Sequence, residues 1–153
     1  MNSDPILYAE DEEDDAFFVQ RAFKQAGIQN RVVVAPDGLQ PMDYLSGTGR
    51  FANRAEYATP CLVLLDISMP GKSGLEVLKW IRSQPAICAM PVLMLTSSSQ
   101  ESDIHRAYIQ GANGFLVKPG NHDELVVMAR AIKDYWLVQN RTAADSRRFS
   151  ESN

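Results

Sequence analysis

Short apolar runs alternate with amphipathic stretches along the chain. Mainly apolar runs without regular polar alternation occupy residues 5–9, 31–35, 61–65, 91–95 and 115–117. Such runs are typical of strands buried on both faces of a sheet. Between them, helical spacing predicts five helices. The first follows the first run as far as Ala26, the second covers residues 38–46, and the third ends before Pro85. The fourth carries Ile104 and Ala107, and the fifth covers residues 122–140.

Strand and helix alternate in this order throughout the chain. The alternation predicts an α/β fold, a single doubly wound five-stranded parallel sheet with helices on both faces. A chain of 153 residues is long enough for one domain with its own core, which we expect over residues 5–140. Residues 47–60 are predicted to form a long loop, and the polar residues 141–153 a disordered tail.

The composition argues against several classes of protein. Hydrophobic and charged contents of 45% and 22% are ordinary for a soluble globular domain, and a net charge of −4 argues against a nucleic-acid surface. Two cysteines are too few for a disulfide framework or a metal knuckle and suit a reducing compartment. We recognise no signal peptide or membrane-length apolar run, and expect a cytoplasmic protein that binds neither nucleic acid nor membrane.

Polar residues with useful chemistry follow four of the predicted strands. They are Glu10 and Asp11, Asp66, Thr96, and Lys118. Because the carboxyl ends of parallel strands lie on one edge of a sheet, we expect these side chains to converge there, where open α/β sheets place their ligands. The alternative is that acidic residues cap helices and face solvent, which we expect for residues 12–15.

Acidic residues that converge need a positive partner. Two carboxylates ~4 Å apart repel by about 4 kcal/mol at an effective dielectric of about 20, and the candidates that offset this are Lys118 and a divalent cation. Oxygen ligands favour Mg²⁺ over a transition metal. A carboxylate such as Asp66 can attack phosphorus to form an aspartyl-phosphate, while the cations and the Thr96 hydroxyl stabilise the phosphoryl oxygens.

Four segments together resemble the motifs of the response-regulator receiver domain of two-component signalling. They are ILYAED at residues 6–11, LVLLDISMPGKSG at 62–74, LMLTSS at 93–98 and FLVKP at 115–119. Their order and spacing are those of the family, and the resemblance covers residues 5–140. It implies a flavodoxin-like sheet with the strand order 2-1-3-4-5.

The resemblance also implies a phosphoacceptor and a metal site. Asp66 matches the phosphoacceptor. Glu10 and Asp11 match the acidic pair that, with Asp66, holds Mg²⁺, and Ser68 matches the position whose main-chain carbonyl joins the metal shell. A sensor histidine kinase or a phosphotransfer protein is the implied donor of the phosphoryl group.

A second set of matched residues reads the phosphoryl group. Thr96 and Lys118 match the hydroxyl and the lysine that contact it, and Phe115 matches the aromatic residue that rotates when the threonine shifts. The family also implies a cis peptide bond at Lys118–Pro119, since X–Pro bonds are the ones in which cis is accessible. Phe115 and Gly120 depart from the Tyr and the bulky apolar residue that are more common at these positions.

Two segments resemble a subgroup of the family. Residues 45–60 and 131–138 look like those of the small stand-alone regulators paired with bacterial phytochrome-type kinases. The polar residues 141–153 are too few for an output domain. We therefore expect the signal to pass through a partner protein, a further phosphotransfer step or a dimer.

Two other functions compete with this one. A magnesium-dependent phosphatase of the haloacid-dehalogenase kind also forms an aspartyl-phosphate, but it needs a second Asp where this chain has Ser68, and a cap domain. A pseudo-receiver scaffold that is never phosphorylated does not need Asp11, Asp66, Thr96 and Lys118 together. We expect a phosphoacceptor that is not an enzyme and that dephosphorylates itself slowly at most.

The last predicted helix carries two apolar stripes. The first, which can face the sheet, is Leu125, Ala129, Ile132 and Trp136, and the second is Val127, Ala131, Tyr135 and Val138. They start two residues apart, about 200° around the helix, and a helix on one side of a sheet needs one stripe. We expect a homodimer through the second stripe. The alternative is that Val127 and Ala131 pack under the loop of the fourth helix.

Overall fold

The protein is described here by a computed structural model that covers residues 3–143. Its strands are β1 (Ile6–Ala9), β2 (Val32–Ala35), β3 (Leu62–Leu65), β4 (Val92–Thr96) and β5 (Gly114–Val117). Its helices are α1 (Glu13–Gln25), α2 (Gln40–Ser46), α3 (Gly74–Ser83), α4 (Glu101–Ile109) and α5 (His122–Ile132). The strands form one parallel sheet in the order β2-β1-β3-β4-β5, which confirms the predicted fold.

Helices cover both faces of the sheet. α1 and α5 pack on one face, over a core that includes Ile6 and Tyr8, while α2, α3 and α4 pack on the other, over a core that includes Leu7 and Ala9. β1 contributes to both cores because successive side chains of a strand point to opposite faces. All four of its residues are fully buried, as the unbroken apolar run predicts.

The segment predicted as a long loop, residues 47–60, is packed against α2. It contains a short 3₁₀ helix (Gly49–Phe51), and the Phe51 side chain is fully buried. The ring centroid of Phe51 lies 5.0 Å from that of Tyr44 and 5.0 Å from that of Tyr57. Contact between these rings orders the segment, whereas the sequence pattern of residues 47–60 predicts only a loop.

α4 is more exposed than its pattern predicts. The sequence pattern places Ile104, Ala107, Tyr108 and Gly111 on one side of this helix, of which Ala107 is fully buried and Tyr108 is 52% exposed. The small side chain of Ala107 lies against the sheet, and Tyr108, one position further on, is turned about 100° around the helix towards solvent. That side of the helix is therefore only partly buried.

α5 buries one apolar stripe and exposes the other. Leu125, Ala129 and Ile132 are buried, whereas Val127, Ala131, Tyr135 and Val138 are exposed. The alternative in which Val127 and Ala131 are packed under a loop is therefore wrong. The helix continues as a π-helical segment (Lys133–Gln139), whose wider turn shifts the phase of the stripe, so that Leu137 is buried and Trp136 is half-buried.

Two expectations concern a membrane span and the tail. Within residues 3–143, no helix is both long enough and apolar enough to cross a membrane. The predicted disordered tail lies, from residue 144 onward, outside the described residues.

Candidate functional site

The sheet itself brings the predicted residues together at its carboxyl edge. β1 and β3 pair in register as far as Ala9, so that Glu10 and Asp66 are the next residues beyond the last pair. The Asp66 amide donates a hydrogen bond to the Ala9 carbonyl at 3.0 Å, and the Lys118 amide donates one to the Thr96 carbonyl at 2.8 Å. Main-chain bonding thus fixes the direction from which each side chain enters the site.

Asp66 lies at the centre of the cluster and is 7% exposed. Its Oδ1 atom accepts hydrogen bonds from the Thr96 hydroxyl at 2.7 Å and from the Ser68 amide at 3.3 Å. Its Oδ2 atom accepts one from the Lys118 ammonium at 2.9 Å. Both oxygens of this carboxylate are therefore engaged by the donors that the sequence predicts.

α3 starts directly behind Asp66. A Cβ atom at Gly74 would lie 2.0 Å from the Asp66 carbonyl oxygen, so the close approach requires glycine. Ser73 precedes it and caps the helix: its hydroxyl accepts from the Glu76 amide at 3.2 Å, and the Glu76 carboxylate accepts from the Ser73 amide at 3.1 Å. This capping box fixes the loop that follows Asp66.

Lys118 is surrounded by carboxylates. Its ammonium contacts Glu10 Oε2, Asp66 Oδ2 at 2.9 Å and Asp15 Oδ2 at 3.1 Å, and its side chain is 9% exposed. One positive charge therefore faces three acidic groups, before Asp11 is added. The cluster has more negative than positive charge, which is the condition that attracts a cation.

The pKa values of the site reflect this shortage of positive charge. Burial and the neighbouring Asp66 carboxyl together raise the pKa of Glu10 to about 7, although Lys118 opposes the shift. Burial acts in the same direction on Asp66, but bonds from Glu10, Lys118 and Thr96 hold its pKa below the usual value. Asp66 is thus the ionised member of the pair. Burial disfavours the Lys118 ammonium, yet Glu10 and Asp66 raise its pKa.

Glu10, Asp11 and Asp66 can ligate one metal ion. Each offers a carboxylate oxygen, and the three oxygens lie within 4.8 Å of one another. A set made only of carboxylate oxygens suits a hard divalent cation such as Mg²⁺. Ser68 is exposed, and its amide contacts Asp66; the metal role of its carbonyl stays a prediction.

Phe115 and Lys118–Pro119 complete the predicted set. Phe115 is half-buried in the core under α2, α3 and α4, opposite Met94 of the neighbouring strand, and its role as a switch stays a prediction. The Lys118–Pro119 peptide bond is trans, since the described residues contain no cis peptide. The expected cis bond was therefore wrong; trans is the lower-energy isomer of an X–Pro bond, and the ammonium reaches Asp66 from it.

Asp15 belongs to the site although it was expected to be solvated. Its carboxylate pairs with Lys118 at 3.1 Å while its side chain is 41% exposed. The sequence did carry a signal, because Asp15 lies four residues before Val19 and seven before Ala22, two buried residues of α1. That spacing places Asp15 on the inner face of the helix, at the end closest to the carboxyl edge of the sheet.

The fold and this cluster define a family. Residues 6–130 match the model of the response regulator receiver domain, and the chain belongs to that family of two-component signalling proteins. In the structure, Asp66 is buried and contacts Thr96 and Lys118. These three residues lie in the segments whose sequences resemble the receiver motifs.

Two relatives are similar over most of their length. The probable methanogenesis regulatory protein FilR2 of Methanothrix harundinacea is 36% identical over 140 residues, which cover 90% of this chain and 86% of FilR2. Response regulator Rcp1 of Synechocystis sp. is 35% identical over 132 residues, 86% of this chain and 88% of Rcp1.

Solved structures give the same result. The phosphorylated cyanobacterial phytochrome response regulator RcpA superposes with a TM-score of 0.84 at 31% identity, covering 94% of this chain and 99% of RcpA. A Mn²⁺-bound form of response regulator Rcp1 superposes with a TM-score of 0.81 at 33% identity, covering 92% and 99% of the two chains. The chain is therefore similar to response regulators of phytochrome signalling.

Proposed function

We propose that this response regulator accepts a phosphoryl group on Asp66 from a sensor histidine kinase or a phosphotransfer protein and signals through contacts with other proteins. The observation that carries the proposal is a buried, ionised Asp66 with the Thr96 hydroxyl on one oxygen and the Lys118 ammonium on the other. Among the described residues, Cys61 and Cys88 form no disulfide, which is compatible with the reducing cytoplasm in which such a donor works.

In the proposed transfer, an Asp66 carboxylate oxygen forms a bond to phosphorus while the phosphorus–nitrogen bond of a phosphohistidine donor breaks, and the released imidazole nitrogen takes up a proton from solvent. Thr96 then donates a hydrogen bond from its hydroxyl to a phosphoryl oxygen. The same hydroxyl already points at Asp66, because it donates to Asp66 Oδ1 in the structure. Lys118 neutralises a second phosphoryl oxygen from its position beside Asp66 Oδ2.

Mg²⁺ fits the site because the carboxylates outnumber the ammonium. Glu10, Asp11 and Asp66 would hold the ion, together with the Ser68 carbonyl, and support comes from the Mn²⁺-bound form of Rcp1. Bound Mg²⁺ supplies positive charge that offsets the charge of the phosphoryl oxygens. Residues of the chain do the rest: Lys118 orients Asp66, and the Glu12 amide orients Glu10 through its Oε1 atom at 3.1 Å.

Phosphorylation of Asp66 is proposed to reach the surface through Phe115. Thr96 ends β4, and Phe115 lies on the adjacent strand β5, so a shift of Thr96 towards the phosphoryl group opens space next to a half-buried ring. We expect beryllofluoride, a stable mimic of the phosphoryl group, to shift the NMR signals of Phe115. Shifts confined to the loops around Asp11 and Asp66 would contradict this coupling.

The proposed role is that of a phosphoacceptor rather than a phosphatase of other substrates. Ser68 stands where aspartyl-phosphate phosphatases of the haloacid-dehalogenase kind have their second Asp. Without a carboxylate there, no side chain at that position can act as general base on an incoming water. We therefore propose that hydrolysis at Asp66 is slow self-dephosphorylation.

Acetyl phosphate tests the acceptor directly. In the presence of Mg²⁺, intact-mass spectra should show one phosphoryl group on the wild type, none on Asp66→Asn, and one on the control Asp14→Asn, an exposed aspartate of the same acidic run. Chelation of Mg²⁺ should abolish the adduct. An adduct that persists in Asp66→Asn would place the acceptor elsewhere.

The exposed stripe of α5 is the proposed dimer surface. Val127 and Tyr135 are 63% and 55% exposed, a large apolar exposure for a helix whose opposite stripe is already buried. A second copy is the occupant that fits, because antiparallel pairing of two α5 helices buries the stripe twice. It also brings the acidic first turn, with Asp123 and Glu124, towards Arg130 of the twin.

Light scattering at micromolar concentration tests this dimer. The wild type should be dimeric, and the double variant Val127→Glu, Tyr135→Glu monomeric, because each protomer would place two charges in the interface. The control is Phe17→Glu, Phe18→Glu, which changes two exposed rings of α1 and should leave the dimer intact. A monomeric wild type would end the proposal.

A further inference from the structure

Tyr8 is a polar residue in an otherwise aliphatic row of the sheet. In register across the strands, it lies between Val34 of β2 and Leu64 of β3, and Leu64 lies beside Leu93 of β4. Tyr8 is fully buried in the core under α1 and α5. An aliphatic side chain would be enough for packing in this row. A buried hydroxyl is costly without a hydrogen-bond partner, so the presence of the Tyr8 hydroxyl needs a separate explanation.

The hydroxyl reaches the carboxylate of the proposed metal site. Tyr8 donates a hydrogen bond to Glu10 Oε2 at 3.2 Å, and Lys118 contacts the same oxygen. The other oxygen, Oε1, accepts from the Glu12 amide. The Glu10 side chain is 0% exposed. Its carboxylate is thus held from three directions: from the core, from the end of β5 and from the main chain before α1.

We propose that Tyr8 is a positioning residue of the metal site, whose hydroxyl holds the Glu10 carboxylate in the orientation that binds Mg²⁺; this inference rests on the proposed function. Lys118 has a second task, because it also neutralises the phosphoryl group on Asp66. When the ammonium turns to the phosphoryl oxygens, Glu10 Oε2 keeps the Tyr8 hydroxyl. Val34 and Leu64 flank the ring on both sides, so the hydroxyl stays in place in both states.

A matched pair of variants separates positioning from stability. Tyr8→Phe removes the hydroxyl and keeps the ring. Tyr44→Phe is the control, because Tyr44 is also fully buried and its hydroxyl donates to the Ala58 carbonyl at 2.7 Å, in the core on the other face of the sheet. Each variant loses one hydrogen bond of a buried tyrosine, and denaturant unfolding should show comparable losses of stability.

Calorimetric titration with Mg²⁺ alone gives the deciding number. We expect a dissociation constant about tenfold higher for Tyr8→Phe, the lower end of the effect of losing a group that orients a metal ligand. For Tyr44→Phe we expect a change below about twofold. The inference is overturned if Tyr8→Phe binds Mg²⁺ as the wild type does, and also if both variants lose affinity equally, since that assigns the effect to general loosening.

Glu10→Gln distinguishes a failure of this inference from a failure of the proposed function. The wild type should bind Mg²⁺ much more tightly than Glu10→Gln. If the two bind equally, the assignment of the metal site is wrong and the role of Tyr8 falls with it. If Glu10→Gln binds weakly and Tyr8→Phe binds normally, the metal site stands and only the inference on Tyr8 is wrong.

Discussion

Lys118 and Arg82 are both cations enclosed by oxygen atoms, but the oxygens differ in charge. Lys118 faces the carboxylates of Glu10, Asp15 and Asp66. Arg82, at the end of α3, donates only to neutral oxygens: the Gly111 carbonyl at 2.9 and 2.7 Å, the Cys88 and Met90 carbonyls at 3.0 and 2.7 Å, and Asn113 Oδ1 at 2.9 Å. Within residues 3–143, the salt bridges all belong to Lys118.

The difference separates a structural cation from a functional one. Arg82 ties the end of α3 to the loops that precede β4 and β5, and Asn113 continues this link by accepting from the Val92 amide at 2.8 Å. Burial lowers the pKa of Arg82, yet its planar fork fits these acceptors, so its hydrogen bonds are satisfied by neutral oxygens without an acidic partner. The Lys118 cluster keeps surplus negative charge, which destabilises the empty site and stabilises it once a cation is bound.

The largest expected effect is at Arg82. Arg82→Met removes all of these hydrogen bonds to a charged group and should lower the free energy of unfolding by about 3 kcal/mol. Arg82→Lys should recover little of it, since an ammonium cannot reproduce the fork. Denaturant unfolding measures both, and Mg²⁺ affinity should not change. A loss below about 1 kcal/mol would show that water replaces the guanidinium as the donor to these oxygens. Arg82 would then not be a structural cation, and it could not be contrasted with Lys118 on that ground.

The next effect has the opposite sign and concerns Glu10. Its pKa is about 7 in the folded chain and 4.5 in the unfolded chain. Between these two pH values, the folded protein therefore retains a proton that the unfolded chain has lost. The metal-free protein therefore has the full contribution of Glu10 below about pH 4.5 and loses it as the pH rises through about 7. Glu10→Gln removes this loss.

Unfolding in the presence of a chelator measures this difference. At pH 8 Glu10→Gln should be more stable than the wild type by about 2 kcal/mol, and at pH 4.5 the two should differ little. Added Mg²⁺ should stabilise the wild type at pH 8 and have much less effect on the variant. A variant less stable than the wild type at pH 8 would mean that Lys118 already balances the cluster.

The two cations also show what the sequence could predict. Glu10, Asp66, Thr96 and Lys118 each follow an apolar run, so the geometry of a parallel sheet was enough to bring them together. Arg82 gave no signal, because its partners are main-chain carbonyls of two loops, and any residue has such a carbonyl. Asp15 was predicted to face solvent because local charge density, rather than its place on the inner face of α1, decided the interpretation.

Asp37 extends the comparison to an anion and has the smallest expected effect. Neutral donors hold its carboxylate at the start of α2: Oδ1 accepts from the Leu39 and Gln40 amides at 2.9 Å each, and Oδ2 from Gln40 Nε2 at 3.1 Å. Burial opposes ionisation slightly, but these bonds and nearby Arg50 lower its pKa. Its stabilising contribution is therefore present above the unfolded value of 3.8 and is lost as the pH falls below it.

Asp37→Asn keeps an acceptor oxygen and removes the charge, so it should cost about 0.5 kcal/mol at pH 7, a value reduced by solvent screening. Thermal unfolding of both proteins at pH 7 and pH 3 should show this gap closing on acidification, because the wild-type carboxylate then becomes neutral too. The gap at pH 7 should be the same with and without Mg²⁺, because the hydrogen bonds of Asp37 go to Leu39 and Gln40 and not to the Lys118 cluster. A gap that depends on Mg²⁺ would link α2 electrostatically to Asp66, and the separation between structural and functional charges in this protein would no longer hold.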